Sequence, residues 1–114
     1  MKVSIITATY NSAATVADTL ASVQRQTYSN IEHIVVDGLS TDDTLSVIQK
    51  AGHAGQLISE KDRGIYDAMN KGILLTHGEI VGILNSDDFF AHDTVIAEVV
   101  EIFEKTRVFF NEKV

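Results

Sequence analysis

The sequence predicts an α/β fold, with a mostly parallel sheet covered by helices on both faces. Two observations carry the prediction. Short β-rich runs alternate with segments of helical periodicity along the whole chain. The run Ile80-Val81-Gly82-Ile83-Leu84 is nearly all apolar, as a strand buried on both sides must be.

Each element has its own warrant. Val3 to Ala8 is a β-rich run. Val16, Leu20, Val23 and Thr27 follow at helical spacing, with Asn11 or Ser12 as the expected N-cap. Ile31 to Val36 is the second strand. Ser40, three residues before Asp43, resembles a capping box and opens a helix carrying Leu45, Ile48 and Ala51. Gln56 to Ser59 is a short third strand. Ile65, Met69, Gly72 or Ile73, and Thr76 mark the next helix. Ile80 to Leu84 is the fourth strand. Val95, Val99 and Ile102 mark a helix, and Val108 to Phe110 is expected to begin a last strand.

Length and composition bound the function. The 114 residues make one domain at most, and 45% are hydrophobic, enough to bury a core. Nine Lys and Arg against 16 Asp and Glu give a formal charge of −7. That balance speaks against a nucleic-acid surface, which needs clustered cations. It leaves room for a nucleotide, whose diphosphate a divalent metal can neutralise locally. With no cysteine, disulfides, thiolate metal sites and Cys nucleophiles are excluded. The N-terminal apolar run is too short for a secretory signal, and no run approaches the ~20 apolar residues of a membrane span. The expectation is a cytoplasmic chain, with peripheral contact at the inner face of the membrane as an option.

In open parallel sheets ligands bind beyond the carboxyl ends of the strands, so the residues following each strand are the candidates. Thr7, Thr9, Tyr10 and Asn11 collect hydroxyls, a ring and an amide before a helix start, where free N–H groups suit an anion. Tyr10 either stacks on a base or packs in the core. Asp37 directly follows the second strand and can accept from a ribose hydroxyl or a base N–H, while Gly38 permits a tight turn. Asp42 and Asp43 read as first-turn acids favoured by the helix dipole. Arg63 and Lys71 flank a turn and suit phosphate, although Lys71 alone reads better as a surface charge. Tyr66 and Asn70 share a helix face. The adjacent carboxylates of Asp87 and Asp88 repel one another, which a divalent metal would relieve, and oxygen ligands favour Mg²⁺ or Mn²⁺. The plain alternative is a polar turn in which Asp88 or Asp93 caps the next helix. His33, His53, His77 and His92 lack metal-ligand spacing, with His92 a minor candidate beside the acidic pair.

Four segments in order resemble the family 2 glycosyltransferases with the GT-A fold, whose nucleotide-binding half is Rossmann-like: Ile5 to Asn11, Val35 to Thr44, Ser59 to Ile73, and Gly78-Glu79 leading to Leu84-Asn85-Ser86-Asp87-Asp88. The resemblance implies that Thr7, Thr9, Tyr10 and Asn11 line a nucleoside site, usually for uridine. It implies that Asp37 binds the base, Asp87 reaches the ribose, and Asp88 holds the metal bridging the diphosphate. Many members have Ala-Arg-Asn where this chain has Ala68-Met69-Asn70, so Asn70 carries over and the Arg does not. Arg63 is the candidate substitute.

The resemblance implies sugar transfer, with inversion, from a nucleoside diphosphate sugar, UDP-linked by family default, to a hydroxyl of a saccharide or lipid-linked acceptor in polysaccharide biosynthesis. Family members continue further and place the acceptor site and general base in that later half. No residue here matches the base. Residues 1–114 are therefore expected to be one truncated donor-binding domain, inactive alone. The rival reading is a non-catalytic nucleotide-binding or self-associating fragment, for which an exposed sheet edge would favour homo-oligomers. Dehydrogenase and P-loop readings fail because neither G-x-G-x-x-G nor G-x-x-x-x-G-K-[ST] occurs.

Overall fold

The computed structural model describes the backbone of residues 1–113 and the side chains of residues 1–106. The order is β1 (Val3–Thr9), α1 (Val16–Gln24), β2 (Ile31–Asp37), α2 (Thr44–Lys50), β3 (Leu57–Ser59), α3 (Ile65–Leu74), β4 (Ile80–Ile83) and α4 (Val95–Lys113). The sheet order is β3-β2-β1-β4, and every pairing is parallel. After β1 the chain winds outward through β2 and β3, then returns to place β4 on the other side of β1. The strand order therefore reverses beside β1, and a crevice opens there at the carboxyl ends.

Alternation along the strands sorts the core into two layers. Val3, Ile5 and Val35 face α1, α2 and α4, where they pack with Val16, Leu20, Val23, Ile48, Ile96 and Val100. Ile34 and Val36 face α3 and pack with Ala68. Each fully buried Ile, Leu or Val contributes about 1.5–3 kcal/mol relative to exposure. The α3 layer is built from small residues: a Cβ added to Gly72 would stand 2.5 Å from Ile6 Cγ2. The buried face of α3 is therefore Ala68 and Gly72, while Ile65 and Ile73 remain about half exposed. Hydrophobic spacing mis-set that face, because close approach to the sheet selects small side chains over large ones.

Other expectations need correction. The backbone of 108–110 continues α4 instead of beginning a strand. Neither Gly nor Pro lies between Val95 and Val114 to break the helix. The side chains there lie outside the described residues. The N-cap of α1 is Thr15 without a side-chain cap bond, and Ser12 contributes its carbonyl to the turn instead. The helix ends at Gln24, leaving Thr27 exposed beyond it. Likewise α2 starts at Thr44, held by Asp42, whose Oδ1 accepts from the Thr44 amide at 2.9 Å. Ser40 lies outside the helix because its hydroxyl and amide both serve Asp37.

Candidate functional site

The carboxyl ends of the strands converge on a groove made of two adjoining clefts. The larger, of about 680 Å³, is walled by Tyr10, Leu39, Lys61, Asp62, Gly64 and Ala68, with Gly38 and Thr9 at its base. The second, of about 480 Å³, is bounded by Asn11, Thr15, Asn85 and Asp87. Ala8, Ser12, Ile65 and Ser86 line both, so the two form one continuous trough. Its volume is that of a small-molecule site. Among its walls, Tyr10 is 62% exposed and so presents a free ring face rather than a core contact.

Asp37 is fully buried and is not among the residues lining the trough, although its neighbour Gly38 and its partner Thr9 are. Its Oδ1 accepts from Thr9 Oγ1 at 2.7 Å and Ser40 Oγ at 2.5 Å. Its Oδ2 accepts from the Ser40 amide and Ser59 Oγ, both at 2.9 Å. Burial raises its pKa, but the bonds from Ser40, Thr9 and Ser59 outweigh it and hold the carboxyl below its usual value. One carboxylate thus ties the ends of β1, β2 and β3 and shapes the loop after β2. Within that loop Leu39 adopts φ 60°, an uncommon conformation for a non-glycine residue, and so aims a half-exposed apolar side chain at the trough. Gly38 does not have positive φ. Glycine is needed there for room, since an added Cβ would meet Asp62 Oδ2 at 2.6 Å.

Asn11 also has positive φ, and its side-chain oxygen accepts from the Thr41 amide at 2.8 Å, clamping the loop after β1 to the loop after β2. Thr7 is not among the residues lining the trough. It is buried, and its hydroxyl meets His33 Nε2 at 2.8 Å. Asn70 and Arg63 are exposed and also lie outside the lining. Lys71 is a structural anchor. Its Nζ donates to the Lys61 carbonyl at 2.8 Å and pairs with Glu60 at 3.2 Å, fixing the segment before α3.

The acidic loop at the other end is held by a polar stripe on α1. Thr19 Oγ1 lies 3.0 Å from the Ser86 carbonyl and 2.5 Å from that of Asp88. Ser22 Oγ accepts from the Phe90 amide at 3.1 Å, and Gln26 bonds the His92 carbonyl and the Ile96 amide. Thr19 and Ser22, three residues apart, share one face of α1, and Gln26 lies just past the end of the helix. Their signature was visible as polar residues at helical spacing but was hidden by the stronger apolar pattern.

Asp87 and Asp88 are both exposed, and neither forms an ion pair among the described residues. Among the described residues the Asp88 carboxylate accepts one hydrogen bond, from Asn85 Nδ2 at 3.4 Å. Asp87 lines the second cleft and Asp88, next to it in the chain, lies outside the lining of both; exposed carboxylates of this kind are oxygen donors that suit a hard divalent cation completing its shell with phosphate and water. No group of three or more His, Cys, Asp or Glu that could hold a metal alone occurs among the described residues. His92 is turned to Thr94 and Glu98.

Residues 4–110 match the family model described as Glycosyl transferase family 2. The chain is 41% identical over 102 residues to an uncharacterized glycosyltransferase of Mycobacterium tuberculosis, covering 87% of this chain and 38% of that protein. It is 35% identical over 111 residues to the Escherichia coli UDP-Glc:alpha-D-GlcNAc-diphosphoundecaprenol beta-1,3-glucosyltransferase WfaP, covering 96% and 44%. Among solved structures it resembles the mannosyltransferase PcManGT of Pyrobaculum calidifontis, in complex with GDP-Man and Mn²⁺, at TM-score 0.82 and 31% identity, covering 87% of this chain and 31% of that one. S. aureus TarS in complex with UDP-GlcNAc aligns at TM-score 0.77 and 30% identity, covering 91% and 32%. The chain thus spans less than half the length of these relatives, and its parallel sheet is that of GT-A glycosyltransferases.

Proposed function

This chain belongs to glycosyl transferase family 2, and from that premise we propose that residues 1–114 form the donor-binding part of an inverting enzyme using a UDP-linked sugar. The observation that carries the reading is the continuous trough, with an apolar and aromatic end at Tyr10 and Leu39 and a carboxylate end at Asp87. A nucleoside diphosphate has the same polarity: a flat base at one end and an anionic diphosphate at the other.

In this reading Tyr10 and Leu39 sandwich the base, and Asp87 accepts from the ribose. Asp88 would hold a divalent ion, Mn²⁺ or Mg²⁺, which when bound would supply positive charge to stabilise the leaving diphosphate. Thr9 and Asp37 keep the floor in register, and Asn11 holds the loops that form the walls. Transfer joins the acceptor hydroxyl oxygen to the anomeric carbon from the face opposite the departing diphosphate, which inverts that centre. The hydroxyl proton passes to a general base, a role we assign to none of these 114 residues. The acceptor is proposed to be a saccharide or a lipid-linked saccharide. No helix among the described residues is long and apolar enough to cross a membrane.

Calorimetry with UDP tests the reading. Binding is expected to weaken at least about tenfold when Mn²⁺ is withheld, and equally in Asp88→Asn, since a charge-assisted contact is lost in each case. Binding that ignores both the metal and the substitution overturns it.

A further inference from the structure

We infer that Asp62, not the buried Asp37, is the acid that reads the pairing edge of the nucleotide base, and that it selects a base carrying a ring N–H. The inference rests on the trough being the nucleotide site and identifies its specificity residue.

The argument begins with which carboxylate is free. Asp37 accepts four hydrogen bonds from Thr9, Ser40 and Ser59 and is fully buried. A base N–H could reach it only by displacing bonds that join three strands. Asp62 is only partly buried and lines the larger cleft. Its Oδ1 accepts from the Gly64 amide at 3.0 Å, while nothing among the described residues donates to Oδ2.

The position of that free oxygen is set by two glycines and a lysine. Oδ2 rests over Gly38, within 2.6 Å of where a Cβ would stand, so any other residue at 38 would push the carboxylate away. Gly64 has φ 117°, a backbone that only glycine adopts readily, and its amide meets Oδ1. Lys71 fixes the preceding carbonyl of Lys61 at 2.8 Å. The result is a single anchored acceptor in the cleft that Tyr10 and Leu39 also line.

A carboxylate oxygen accepts and cannot donate. Uracil and guanine present a ring N–H on the pairing edge. Cytosine and adenine present a lone pair at the same ring atom, which the carboxylate repels. UDP and CDP are nearly equal in size, as are GDP and ADP, so the ratio within each pair reads the edge and not the fit of the ring. A site built to hydrogen-bond one partner leaves a buried acceptor unpaired when the other binds.

The test measures UDP, CDP, GDP and ADP affinities with Mn²⁺ for the wild-type chain and Asp62→Asn. In whichever size pair binds, the N–H-bearing member is expected to win by about tenfold or more, the usual scale for a charge-assisted hydrogen bond. In Asp62→Asn the ratio is expected to fall below about threefold, because the amide can turn to donate to cytosine N3 or adenine N1. Asp62→Ser, which keeps an oxygen for the Gly64 amide, gives the same collapse should the amide variant fold poorly. Metal-dependent binding whose base ratio survives both substitutions, or that shows no base ratio in the wild type, overturns the inference and leaves the donor site standing. Failure of the wild type to bind any of the four diphosphates overturns both.

Discussion

The hydroxyl of Thr19, buried in α1, lies 2.5 Å from the main-chain carbonyl of Asp88 and 3.0 Å from that of Ser86. The loop carrying Asp88, the carboxylate proposed to hold a metal, is thus positioned by a helix that itself contributes no ligand. Thr19→Val keeps the shape and removes the donor, leaving two carbonyls without it. The loss of a buried hydrogen bond predicts a stability cost of about 1–2 kcal/mol. Metal-dependent UDP affinity is expected to fall about three- to tenfold, with metal-independent binding unchanged. Thr19→Ser is expected to restore both, as calorimetry and urea denaturation will show. A variant that loses stability but keeps full metal dependence would refute the positioning role.

Leu39 combines strain with function. Its φ of 60° costs about 1 kcal/mol for a side chain with a Cβ. Leu39→Gly removes that strain but loosens the unfolded chain by a comparable amount. Stability is expected to change by less than about 0.5 kcal/mol. UDP affinity is expected to drop about three- to tenfold, because the apolar side chain that Leu39 adds to the lining of the cleft is gone. Equal affinity in the variant would mean that the base does not lie against this loop.

The contact of Gly72 with Ile6 is testable by a cycle. Gly72→Ala gains about 1 kcal/mol of helix propensity. It also drives a methyl to 2.5 Å from Ile6 Cγ2, and overpacking of this kind costs about 1–3 kcal/mol. Net destabilisation is expected. In an Ile6→Ala background the same substitution is expected to become neutral or stabilising, since the clash has no partner. Additive effects across the cycle would show that the two sites do not meet.

The fold was legible because parallel strands buried on both faces are written in apolar runs, as β1 and β2 are, whereas β4, expected from its apolar run to be buried on both sides, is an edge strand whose Val81 and Ile83 stay exposed on one face. The caps were not legible. Ser40 has the composition of a cap, yet its hydroxyl is drawn to Asp37, a partner that only the tertiary fold brings close. The same limit governs the trough. Tyr10, Asp37 and Asp87 can be singled out because they follow strands. Asp62 cannot, because its importance comes from lying over Gly38, 24 positions away in the chain. Thr7 shows the opposite error: it precedes the strand end by two residues, and the pleat turns it onto His33.

His33 predicts a window of acid sensitivity. Its ring is buried, with His53 at 5.3 Å between centroids, and burial first, then the neighbouring charge, lower its pKa from 6.5 to about 3. The unfolded chain therefore binds a proton below pH 6.5 that the folded chain refuses until about pH 3. Stability from this group is fully present above pH 6.5 and is lost progressively as pH falls toward 3, with a slope of at most about 1.4 kcal/mol per pH unit. The carboxylates with lowered values, Glu32 and Asp37, also lose stability in acid. Their unfolded values are 4.5 and 3.8, so their loss sets in mainly below that range. Between pH 6.5 and 5 the slope is expected to come mainly from His33, with Glu32 adding to it toward the lower end. Urea midpoints over that interval are expected to fall with pH in the wild type and to stay nearly flat in His33→Gln, whose amide can still reach the Thr7 hydroxyl but does not titrate. A wild-type midpoint that is already flat over the same interval would show that the ring is solvated enough to take up its proton in the folded chain.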